Sequence, residues 1–272
     1  MRRAILMLFI ACPLLAGVVG AALPLPGTVL APRPPAAMAG EEQCFTLDFL
    51  VFKDLAEGRL RLTAEPVPGR YRAELVARTL GVASWLTGDR IQRYVAVMEE
   101  DGPGRLRSVN YESAIEKRSH GELKDRRKRY RFDYRAGKVY QEKGENGSFS
   151  PGPVFELPSA GGRPVDILTG FYNLRAGAYG PLTPGALIRI PTFTTRGMTE
   201  IEVEVLAAAA RAAQPFFPAT GTLLRVRVDP EIFETGDSEL YAWFDESGRP
   251  AAGLVENVIG LGHVYGRLRK EQ

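Results

Sequence analysis

Four carboxylates, Asp229, Glu231, Glu234 and Asp237, crowd into one short stretch, and a facing pair of carboxylates is what glycoside hydrolysis requires. Pro230, Thr235 and Gly236 interleave them as a turn would, so they read as a charged loop. They also lack the alternating Asp/Asn spacing and closing Glu of a calcium loop. Gly161-Gly162 precedes a helical segment, as in anion-binding turns, but without the Lys and hydroxyl of a phosphate loop. No Gly-x-Ser-x-Gly elbow occurs. A catalytic thiol wants an imidazole beside it, and the two histidines are poorly placed for that. His120 lies in a charged loop and His263 between Gly262 and Val264. Cys44, beside Phe45 at the first strand, is expected to be buried. No catalytic residue, no metal ligand and no cofactor emerges from these residue types, which points away from an enzyme.

One charge run stands out. Six of the eight residues in Lys124-Asp-Arg-Arg-Lys-Arg-Tyr-Arg131 are basic. Tyr130, Phe132 and Tyr134 alternate into it, so the plain expectation is a strand with a basic outer face. The sharper one is that Arg126, Arg127 and Arg129 contact an anionic surface, either phospholipid headgroups or lipopolysaccharide phosphates. The chain as a whole carries 35 basic and 32 acidic residues. The first 39 residues hold Arg2, Arg3 and Arg33 and no acid, so the remainder carries 32 of each sign. That balance removes the global electrostatic case for nucleic acid.

The elements that must position these residues are mostly strands. Phe45-Thr-Leu-Asp-Phe, Arg59-Leu-Arg-Leu, Tyr71-Arg-Ala-Glu-Leu, Ile201-Glu-Val-Glu-Val and Leu224-Arg-Val-Arg-Val alternate apolar with polar, the signature of antiparallel sheet with one wet face. Pro68-Gly69, Ala136-Gly137, Asn146-Gly147 and Glu246-Ser-Gly248 are turn signals at hairpin spacing. Leu206 to Ala213 is either a strand-to-loop extension or a short helix. One segment is clearly helical. In Asp166-Ile-Leu-Thr-Gly-Phe-Tyr-Asn-Leu-Arg175, Ile167, Leu168, Phe171 and Leu174 share one face, with Asp166 at the positive end of the dipole and Gly177 as a stop.

About a dozen strands and one helix predict a mainly β fold: a strongly curved antiparallel sheet, or an incompletely closed β-barrel, with the short helix packed on the concave side. The domain boundaries follow from composition. Met1-Arg-Arg and an uncharged run from Ala4 to Leu23 have the form of an export signal, assigned to residues 1–22, with an uncleaved anchor as the alternative. Residues 23–40 read as a Pro/Ala-rich linker and 41–272 as a single β-rich domain. Export would place that domain in the periplasm, free or tethered to the membrane.

The exported start, the strand pattern, the Asp166 to Arg175 helix and the ending Trp243-Phe-Asp-Glu-Ser-Gly-Arg-Pro250 through Glu256 and Gly260 resemble the domain-of-unknown-function 3108 family of bacterial exported proteins. The resemblance runs from Phe45 to Leu268, and Ala251-Ala252 departs from it where a larger β-branched residue is expected. The family carries no assigned activity, so the resemblance implies location and fold rather than chemistry.

The function expected is that of a non-enzymatic binding or carrier module of the cell envelope, holding an apolar ligand such as a lipid. Trp85, Leu168, Phe171, Tyr172, Arg175 and Trp243 are its candidate cavity residues, and the alternative is that they are simply core. A different function would be that of a scaffold that binds an envelope protein through a sheet edge.

Overall fold

The computed structural model describes residues 30–269, apart from 50–51, 120, 159–161, 195, 231–238 and 259–261. The export signal, Cys12, His120, Gly161, Glu231, Glu234 and Asp237 lie outside the described residues.

A short helix α1 (Pro35–Met38) leads into the strands β1 (Glu42–Phe49), β2 (Phe52–Ala64) and β3 (Arg70–Thr79). Helix α2 (Gly81–Thr87) then precedes β4 (Ile91–Glu100), β5 (Leu106–Ser119), β6 (Glu122–Asp133), β7 (Lys138–Glu145) and β8 (Ser148–Glu156). After α3 (Ile167–Arg175) come β9 (Leu187–Thr194), β10 (Gly197–Val205), α4 (Ala208–Ala212), β11 (Thr222–Arg227), β12 (Glu239–Phe244), β13 (Pro250–Val258) and β14 (Gly262–Leu268). The alternating segments fall in strands, all but Val228 at the end of the last one, and the alanine-rich stretch after β10 forms the short α4. Asn146 and Gly147, with φ of 49° and 85°, make the two-residue β7–β8 turn, both in the left-handed region that such a hairpin demands.

The strands form one antiparallel sheet in the order β8-β7-β6-β5-β4-β3-β2-β1-β14-β13-β12-β11-β10-β9, joined in the middle by β1 against β14. Two meanders thus run outward from that seam, and the sheet does not close. Consecutive strands β8 and β9 stand at opposite edges, so the chain between them has to cross the open side, and α3 is that crossing. The sheet curls around it: α3 touches β4 and β5 in one meander and β9 at the far edge of the other. The edges meet through side chains, with Phe155 and Phe193 ring centroids 5.2 Å apart. This is the expected curved, incompletely closed barrel with a helix on its concave side.

Helix α3 begins where its sequence says it should. Asp166 caps it, accepting the Leu168 and Thr169 amides at 3.0 Å each, and Gly177 follows the last turn with φ of 75°. Its burial goes further than a single apolar face. Leu168 and Tyr172 join one core cluster with Leu62, Ala96, Met98 and Phe132; Leu174 joins a second with Ile190, Val203, Leu224 and Phe244. Ile167 and Phe171 pack against both.

Two expectations change. From Leu30 on, the Pro/Ala-rich stretch is not a free linker: Leu30 bridges to Leu182, and Met38 is fully buried in the core of the first meander. Cys44 is a free thiol that is only half-buried, because its strand position points to the outer face beside Arg59.

Candidate functional site

The concave face has two unlike ends. At one, α3 acts as a plug, held by buried polar groups as much as by its apolar residues. The Asp166 carboxylate accepts the Ser108 hydroxyl at 2.5 Å and the Thr169 hydroxyl at 2.6 Å, besides the two capping amides. Burial pushes its carboxyl above the ordinary range, and these four donors oppose that shift. Asn173 pairs with β5 as a strand would, accepting the Leu106 amide at 2.7 Å and donating to the Leu106 carbonyl at 2.8 Å. Tyr134 Oη donates to the Pro164 carbonyl and Thr192 Oγ1 to the Val165 carbonyl.

Arg175 anchors the other end of the plug. It is 1% exposed, donating to Glu41 Oε2 at 2.8 Å and to the Gly248 carbonyl at 3.3 Å. Arg33 also binds Glu41, and its amide donates to the Arg175 carbonyl at 2.9 Å. Burial by itself would raise the Glu41 pKa, but the hydrogen bond and charge of Arg175, with the charge of Arg33, hold it below its ordinary value. This buried pair ties the N-terminal segment, α3 and the β12–β13 turn together.

Beyond the plug the concave face opens. Tyr111 and Tyr130, opposite each other and both buried, form the last covered row. The next inward row holds Tyr94, Ser113, Lys128, Lys143 and Ser150, and the one after it Ile115, Arg126, Glu145 and Ser148. These residues line a cleft of about 560 Å³. Arg126 and Lys143 make no ion pair among the described residues, although Glu145 faces Arg126 across the ladder. The outer face of the same strands is the reverse. There Arg127 binds Asp125 at 2.8 Å and reaches Glu112 and Glu116, and Arg129 binds Glu112 at 2.9 Å, reaches Glu142 and stacks over Phe149. Arg93–Glu74 and Arg70–Glu99, at 3.0 Å each, continue this ladder of cross-strand pairs.

The candidate residues from the sequence therefore scatter. Leu168, Phe171, Tyr172 and Arg175 come together, as packing of the plug. Trp85 is on α2 and 81% exposed, and it does not line the cleft. Trp243 lies on the opposite face of the sheet, in a separate cluster with Leu206, Phe217 and Tyr241, its indole donating to the Thr220 carbonyl at 2.8 Å. Arg126, Arg127 and Arg129 divide by strand alternation: Arg126 faces the cleft, while Arg127 and Arg129 bind carboxylates on the other face, Arg127 also bordering the cleft. In the acidic cluster, Asp229 is held by Arg196 through both oxygens at 2.7 Å. His263 is half-buried, with Nδ1 lacking a hydrogen-bond partner among the described residues. Among the described residues, no His, Cys, Asp and Glu group of three or more could hold a metal ion, and no helix is long and apolar enough to cross a membrane.

Sequence reading missed Ser108, Asn173, Glu41 and Lys143. Asp166, Thr169 and Asn173 do form a polar stripe at i, i+3 and i+7, a signal that α3 has a second buried face. Nothing local marks Ser108 or Glu41, which reach α3 from 58 and 134 residues away.

Fold and site together define a class: an unclosed antiparallel β-barrel, plugged at one end of its concave face and open at the other. The chain belongs to the family described as Protein of unknown function (DUF3108), which matches residues 44–256. No curated protein matches it. A crystal structure described as a β-barrel-like protein of domain of unknown function DUF1849 from Brucella abortus is similar over 86% of this chain and 97% of that chain, at 10% identity and a TM-score of 0.48.

Proposed function

We infer that this chain is a non-enzymatic binding or carrier module of the cell envelope, and that its ligand is amphipathic with an anionic head, such as an acyl-chain lipid. The observation that carries this reading is the cleft of about 560 Å³, where Arg126 and Lys143 stand without carboxylate partners among the described residues. Every outward Arg of the neighbouring ladder named above is neutralised, so charge left unpaired on the inner face is what an anionic group would meet. Tyr94 and Ile115 supply apolar surface beside those cations, and Ser113, Ser148 and Ser150 supply hydroxyls. A periplasmic location is supported by the charged start and uncharged run of residues 1–23.

The scaffold reading, through strand addition, has less to stand on. Edge strand β8 carries Pro151 and Pro153, which cannot donate to an added strand. Edge strand β9 is already paired at Thr192 by Val165.

Titration with a fluorescent acyl carboxylate, dansyl-undecanoate, tests the ligand reading. Saturable binding is expected, weakened about tenfold or more by Arg126→Ala with Lys143→Ala, and weaker for the corresponding uncharged alcohol. Equal affinity of the original and altered chains for both probes would sink it.

A further inference from the structure

Trp85 is 81% exposed and Leu123 62% exposed, two large apolar side chains left in water at the same end of the barrel. The elements that carry them meet. Helix α2 ends at Gly88, whose carbonyl accepts the Arg118 amide at 2.6 Å, and Leu123 stands opposite Arg118 in the β5–β6 ladder. A Cβ on Gly88, where φ is 73°, would lie 2.0 Å from the Arg118 carbonyl oxygen, so only glycine allows this approach.

The helix is anchored. Thr87 Oγ1 donates to the Ala83 carbonyl at 2.7 Å, the Thr79 and Thr87 hydroxyls meet at 2.9 Å, and Ser84 Oγ donates to Asp89 Oδ1 at 2.5 Å. A fixed element therefore holds a tryptophan outward, where it is not covered by its own fold.

Cations outnumber acids on the inner face at this end, where Lys117, Lys124 and Arg126 are set against Glu122 and Glu145. On the outer face Glu116 and Asp125 are held by Arg127, and the ion pair of Arg118 with Asp89 is long at 3.9 Å. Lys117 and Lys124 face each other one inward row beyond Ile115 and Arg126, so this collar borders the mouth of the cleft, about 7 Å from it along the strands.

We propose that this end of the barrel docks onto an anionic bilayer surface. Trp85 and Leu123 enter the headgroup region, and Lys117, Arg118, Lys124 and Arg126 face the lipid phosphates. An indole suits that depth because its body is apolar and its N–H stays wet. The docking goes beyond the ligand reading and shares only Arg126 with it.

The chain has two tryptophans, so Trp243→Phe leaves Trp85 as the sole reporter. With vesicles of phosphatidylglycerol and phosphatidylcholine, Trp85 emission is expected to shift to the blue and to be quenched by brominated acyl chains. Pure phosphatidylcholine or high salt abolishes the shift, and Leu123→Asp or Lys117→Glu with Lys124→Glu weakens vesicle binding about tenfold or more. Unshifted emission overturns the proposal, as does a shift indifferent to lipid charge or to these variants. If Trp243→Phe does not fold, the unaltered chain is read against Trp85→Phe, and the difference spectrum isolates the same Trp85 signal. Lys143→Ala separates this from the cleft: it should weaken the dansyl probe and leave the Trp85 shift intact.

Discussion

Along β6 the inward side chains run from Phe132 and Tyr130, both buried beneath the helix, to Lys128 and Arg126, which face the cleft. The same strand, the same face and the same alternation thus give core at one end and a charged basin at the other. Length explains the difference. Helix α3 has nine residues and covers about 14 Å, whereas β5, with fourteen, runs for about 45 Å. A plug that short leaves part of the concave face uncovered, and the residues beyond its reach are largely cationic or hydroxylated. An inward strand position is core only where something lies across it.

The largest test of this contrast is at the plugged end. Arg175→Ala leaves Glu41 with Arg33 alone and empties a buried site, and a cost of up to about 3–5 kcal/mol in denaturant unfolding is expected. The effect should depend on pH. Because the fold lowers the Glu41 pKa below its ordinary 4.5, the stabilisation is complete above that value and is lost as pH falls through the folded one. The gap between the original chain and the variant should therefore narrow in acid; a gap that stays unchanged until both chains unfold in acid would show that Glu41 does not carry it.

A second test sets apolar truncations at the two ends against each other. Leu168→Ala opens a cavity in the core and should cost about 2–5 kcal/mol. Ile115→Ala, half-buried at the rim of the cleft, should cost under about 1.5 kcal/mol. Equal losses in thermal melting would mean that the two ends are packed alike.

The smallest effect is expected from charge. Arg126→Ala with Lys143→Ala removes side chains that make no ion pair among the described residues, so unfolding free energy should move by no more than about 0.5 kcal/mol. A clear loss would place these cations in the fold's support rather than in a binding surface.

Much of this architecture is readable in the chain. The period-two segments become strands because one face of each meets the concave core, and Asp166 announces the cap of α3 by its place before an apolar run. The basic run is readable as a strand, and alternation along it already separates Arg126 from Arg127 and Arg129. The placement of Trp85 and Trp243 has no such local signal. Exposure of the first, and the cover that the second receives from the 207–221 stretch, depend on what packs against each element from elsewhere in the chain.

Local chemistry, then, determined the strands, the turn at Asn146-Gly147, and the start and stop of α3, since each rests on backbone preference or on contacts within a few residues. The tertiary structure decided that β8 and β9 stand at opposite edges, that Glu41 meets Arg175, and that one end of the concave face stays open. Those outcomes depend on pairings between residues far apart in the chain, and on how far a nine-residue helix can reach across a fourteen-stranded sheet.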